Sequence, residues 1–165
     1  MIEVKVSDEM LNRAQSRADE MGEIRNSITK GDGNLSGFLG EEVVMEYLGN
    51  CDYAGTYDYD IVYHSEGEAY KVEVKTKRRT VEPKANYTCH IAKSSAHQRP
   101  DIYVFVQVNI KESPIRAWVL GWLPGHLFYD VATYVSKGQR DLDGYIQKVN
   151  AFVCRISDLN NESTL

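Results

Sequence analysis

At 165 residues the chain can bury one sizeable hydrophobic core but is short for two, and its 42% hydrophobic and 26% charged residues lie near globular usage, excluding wholesale disorder. A net charge of −5 argues against a general nucleic-acid coat protein, because such binding rests on cations that replace counterions along the phosphates. The longest apolar run, residues 102–106, is far below membrane-spanning length, and residues 1–10 carry no signal-like stretch; a single-domain, cytoplasmic protein with no membrane association is expected.

Ser7, followed by acidic residues and then Met10, Leu11, Ala14, Ala18 and Met21, predicts an N-capped amphipathic helix ending near Gly22. Residues 23–34, rich in Gly, Asn, Asp and Ser, predict a loop, and residues 35–48 a second helix stopped by Gly49-Asn50. The period then becomes alternating. Tyr59-Ile61-Tyr63 against Asp58-Asp60-Val62, and Val72-Val74 against Lys71-Glu73-Lys75, predict two strands joined by a polar turn over residues 64–68. Further strands are expected over residues 87–91, 102–109, 115–122 and 145–156, a short helix over 126–129 after Pro124, and a frayed end over 160–165. The chain thus divides into an N-terminal helix and loop (1–34), a core (35–109), C-terminal strands (110–156) and a tail (157–165). Two helices followed by strands with helical insertions predict an α/β (mixed α+β) fold, a central mixed sheet flanked by helices.

Cys51, Cys89 and Cys154 are odd in number and form no C-x-x-C pair, so buried free thiols are expected. The negative average hides an asymmetry. Residues 71–99 hold eight cations (Lys71, Lys75, Lys77, Arg78, Arg79, Lys84, Lys93, Arg99) against Glu73 and Glu82, a local charge of +6 that leaves −11 elsewhere. One cationic surface facing a polyanion is one reading of that split, and a solvated face the other.

If the hairpin closes over Glu66-Gly67, Asp60 falls opposite Glu73 and Lys75 shares their face, while Ile61, Val72 and Val74 point into a core. Two opposed carboxylates repel unless a cation lies between them, and magnesium suits such a pair because it binds one or two carboxylates and keeps sites for water and phosphate. A lysine beside it could orient attacking water or stabilise charge developing on a phosphoryl group. Taken alone, Asp…Glu-x-Lys is also compatible with an ordinary solvated strand face.

Asp60-Ile61-Val62 followed by Val72-Glu73-Val74-Lys75-Thr76-Lys77 resembles the D…(D/E)-x-K signature of the PD-(D/E)XK nuclease superfamily, and Gly37-Phe38-Leu39-Gly40-Glu41-Glu42-Val43-Val44 resembles its glutamate-bearing first core helix. The resemblance spans roughly residues 35–109; Tyr59 stands where the family name has proline. It implies a restriction-endonuclease-like core and a Mg2+- or Mn2+-dependent endodeoxyribonuclease, of bacterial or phage restriction, repair or recombination. Glu41, Asp60 and Glu73 would hold the metal and Lys75 would assist. DNA is the implied partner and homodimerisation the implied assembly. A nuclease-fold module without turnover, binding nucleic acid or a protein, is the alternative.

At about 100° per residue Glu41 emerges from the apolar stripe of Phe38, Val44, Met45 and Leu48, whereas Glu42 lies beside Glu46 and is expected in water, so Glu41 is the chosen helix carboxylate. Lys77, Arg78, Arg79, Lys93 and Arg99 are candidate phosphate contacts. His90, His97 and His126 have no partner at motif spacing, and Trp118, Trp122, Tyr103 and Phe105 read as core and sheet residues.

Overall fold

A computed structural model describes residues 1–21 and 32–161. Strand β1 (Ile2–Lys5) leads into helix α1 (Asp8–Met21), whose first turn is capped as expected: Met10 N–H donates to Ser7 Oγ at 3.2 Å. Helix α2 (Asp32–Leu48) starts at Asp32, a few residues before the expected position, and the rest of the expected loop lies outside the described residues. Gly49, at φ +83°, ends α2 by donating to Met45 O.

Strands β2 (Cys51–Tyr53), β3 (Ile61–Ser65) and β4 (Glu68–Arg78) follow, then β5 (Thr88–Ala92), β6 (Ile102–Asn109), β7 (Arg116–Pro124), α3 (Gly125–Val131), β8 (Thr133–Val135) and β9 (Ala151–Arg155). The fold is mixed α/β. A six-stranded sheet has the order β1-β7-β6-β4-β3-β2, parallel only between β4 and β6, and a second sheet has the order β5-β9-β8.

The β3–β4 hairpin closes over Glu66-Gly67, both at positive φ (52° and 86°), as in two-residue hairpin turns. Its register, Ile61↔Val72 through Ser65↔Glu68, is the one the turn chemistry predicts. Strand β6 is buried along its whole length because both faces of the sheet are covered. Val104, Val106 and Val108 meet the helices through Met10, Phe38, Leu39, Val43 and Val44, while Tyr103 and Phe105 meet α3 and the second sheet through Phe128, Cys89, Ile91 and Cys154.

Three short strands, β1, β2 and β8, were not expected. The strand expected over 145–156 is only Ala151–Arg155, because Asp141 captures the segment before it: Asp141 Oδ1 accepts from Tyr145 N and Asp141 Oδ2 from Gln147 Nε2. Asn160 is not frayed; it exchanges two backbone hydrogen bonds with Trp122. Cys89 and Cys154 are buried free thiols and Cys51 is half-buried. Among the described residues, no helix is long and apolar enough to cross a membrane.

Candidate active site

Asp60 lies one residue before β3, just outside the paired register, which begins at Ile61↔Val72; its N–H donates to Val72 O at 3.0 Å and so ties it to β4 next to Glu73. Its Oδ2 accepts from Val74 N–H at 2.8 Å. Glu73 is buried at 4% exposure, and its Oε1 accepts from Lys75 Nζ at 2.5 Å, while its Oε2 is buried without a partner. Lys75 Nζ also donates to Gln98 Oε1 at 3.0 Å. The hairpin thus brings Asp60, Glu73 and Lys75 together.

Glu41 joins them from α2, which can press close to β4 because residue 40 is glycine: a Cβ there would lie 1.9 Å from Thr76 Oγ1. Burial, then the charge of Asp60 and next that of Glu73, push the Glu41 carboxyl up to about 8, against the opposing pull of Arg17. Burial and the Glu73 charge likewise raise Asp60 well above the usual carboxylate range. Glu41 Oε2 stands 3.8 Å from Arg17 Nη1 and makes no hydrogen bond. Three acids from three elements therefore share one poorly solvated site.

Glu42 is not in water. It is 2% exposed because α1 packs on that side of α2, where Arg13 and Arg17 reach it at 2.6 and 2.8 Å. Arg17 also lies 3.7 Å over the Tyr53 ring, so one guanidinium joins α1, α2 and β2 next to the cluster.

The candidate phosphate contacts separate into two groups. Lys77 turns inward, donating to Thr88 O and Oγ1, and burial lowers its pKa; Arg79 pairs with Asp143 at 2.5 Å and lies over Tyr87. Arg78, Lys93 and Arg99 are exposed. Arg99 Nη1 donates to Ala96 O and Gln98 O, beside the acidic cluster, and Lys93 lies 5.6 Å over the Tyr134 ring.

Gln98 was not foreseen. It is buried, its Oε1 accepts from Lys75, and its Nε2 donates to Tyr57 O at 2.9 Å, linking the lysine to the loop before Asp60. No local pattern marks it, because its partners lie 23 and 41 residues away. Among the histidines, His90 is half-buried with Nδ1 unpartnered and is pushed down to about 4 by burial and then by Lys77; His97 stacks on Tyr57; His126 is exposed. His126 and Trp122 line a groove of about 1160 Å³ with Tyr63, Tyr70 and Tyr129.

Among the described residues, no group of three or more His, Cys, Asp or Glu side chains is arranged to hold a metal ion as the side chains stand. Glu73 is turned to Lys75 and Asp60 to the Val74 amide. The donor set still fits a hard divalent ion: all its ligands are carboxylate oxygens, and Glu41 Oε2 and Glu73 Oε2 are buried without a hydrogen bond. No protein-family model matches the chain, and no curated protein matches its sequence.

Proposed function

We propose that this chain is a Mg2+- or Mn2+-dependent nuclease of the PD-(D/E)XK kind, acting in the cytoplasm and hydrolysing DNA phosphodiester bonds. The observation that carries the reading is the cluster of Glu41, Asp60 and Glu73 beside Lys75, in which two acids have strongly raised pKa values and two buried carboxylate oxygens make no hydrogen bond. Three acids in a poorly solvated site cannot all ionise comfortably without a compensating cation.

Glu41, Asp60 and Glu73 would hold the ion, which when bound polarises a phosphoryl oxygen and lowers the pKa of a water. The Val74 amide fixes Asp60 Oδ2, leaving Oδ1 for the ligand role. Lys75 offers three donors, and when Glu73 turns away from it the ammonium can orient the attacking water or face the negative charge that grows on the phosphate. Gln98 keeps Nζ from swinging out with the solvent. Arg99 and Arg78 on the surface would hold the strand by its phosphates. Each copy has one such cluster among the described residues, so cutting both strands of a duplex would call for two copies.

The test is cleavage of supercoiled, linear, single-stranded and branched DNA and of RNA with Mg2+ or Mn2+, compared with Lys75→Ala. Metal-dependent cleavage by the wild type, lost in a folded Lys75→Ala protein, supports the reading. A wild type that cuts none of these substrates while still binding nucleic acid would favour a module without turnover.

A further inference from the structure

Residues 54–60 form a closed loop whose backbone is held from within. Ala54 and Gly55 N–H both donate to Asp60 O, Thr56 N–H donates to Tyr59 O, and Thr56 Oγ1 accepts from the Asp58 and Tyr59 amides. At its tip stands Tyr57, 77% exposed, the most open large hydrophobic side chain among the described residues. The inner face of its ring stacks on His97, with centroids 4.8 Å apart and planes 18° from parallel. His97 is itself fixed, because its Nδ1–H donates to Ser94 O at 2.8 Å. A preorganised aromatic pair with one open face is thus built where burial contributes little to folding.

Its position gives it a use. Tyr57 is three residues from Asp60, and its carbonyl is joined through Gln98 to Lys75 Nζ by two hydrogen bonds. Successive bases of a stacked strand are about 3.4 Å apart, so a strand held by a phosphate at the acidic cluster has bases within reach of the loop that carries this ring. Only an unpaired base can lay its face there, since in an uninterrupted duplex both faces are already stacked. We infer that Tyr57, backed by His97, is a stacking platform for an unpaired nucleobase next to the cleaved phosphate, which makes single-stranded or branched nucleic acid the preferred substrate. The inference rests on the nuclease reading above.

Binding of a fluorescein-labelled single-stranded oligonucleotide and of its duplex, with Ca2+ replacing Mg2+, separates the two ideas, alongside a Mn2+-dependent cleavage assay. Loss of base–aromatic stacking is expected to weaken single-strand binding by about tenfold in Tyr57→Ala, to leave duplex binding unchanged, and to be restored in Tyr57→Phe and Tyr57→Trp. A 2-aminopurine placed in the strand should be quenched by the wild type and not by Tyr57→Ala. If Tyr57→Ala binds the single strand as tightly as the wild type while the wild type cleaves, the platform is overturned and the nuclease reading stands. If the wild type neither binds nor cleaves any strand, both fall together.

Discussion

Glu41→Gln should stabilise the protein in the absence of divalent metal at alkaline pH, although it removes a proposed ligand. The Glu41 carboxyl titrates near 8 in the folded chain against 4.5 for the ordinary side chain, so between those values the folded state holds a proton that the unfolded state releases. Stability therefore falls as pH rises through this window, and by pH 8 the loss is roughly 3–4 kcal/mol. For a chain of this size 1 kcal/mol moves Tm by about 2–4 °C, so Tm of Glu41→Gln minus Tm of the wild type should grow by roughly 10 °C from pH 5 to pH 8 in EDTA. His90, held low, acts in the opposite sense: it adds stability above its ordinary 6.5 that is lost as pH falls toward 4, and taking the difference between variants cancels it. Saturating Mn2+ should close the gap by stabilising the wild type, by about 2.7 kcal/mol at a hundredfold excess over Kd. Circular dichroism melts at several pH values measure this directly. A difference in Tm that stays flat across the range, or shrinks, refutes the electrostatic account of the site.

Three further outcomes follow from individual contacts. Gln98→Ala should lower kcat about tenfold with KM unchanged, because Lys75 loses the acceptor that aligns it; an equal rise in KM would assign Gln98 to substrate binding instead. Gly40→Ala should destabilise by about 1–3 kcal/mol through its clash with Thr76, and Thr76→Ala, which removes the nearest atom, should recover most of that loss; additivity of the two changes in denaturant melts would contradict it. Asp141→Ala should cost about 3 kcal/mol in urea unfolding, since Thr88 Oγ1, Gln147 Nε2 and the Tyr145 and Asp143 amides lose their shared acceptor; a change below 1 kcal/mol would show that water replaces it.

The parts of the fold legible in the sequence are those fixed by local chemistry. Glu66-Gly67 sets the hairpin register by turn geometry alone, and that register runs to Ile61↔Val72, whose chain neighbours are Asp60 and Glu73. Ser7 marks the start of α1, and the unbroken apolar run of β6 marks a strand covered on both sides. What could not be read depends on partners distant in sequence. Strands β1, β2 and β8 have three or four residues each and exist through pairing with β7, β3 and β9. Glu42 looked solvated because helical geometry shows its neighbours on α2 but not Arg13 and Arg17 arriving from α1. Lys77 and Arg79 looked like surface cations because Thr88 and Asp143, their acceptors, belong to the second sheet and the loop before β9.

The most direct measurement is calorimetric titration of Mn2+ into the metal-free wild type and Asp60→Asn at pH 7, each in two buffers of different ionisation enthalpy. The wild type should bind the ion and release protons, because Glu41 and Asp60 hold them until a cation takes their place, and Asp60→Asn should bind far more weakly. Absence of binding by the wild type, or equal binding by Asp60→Asn, would contradict a metal centre built on these acids.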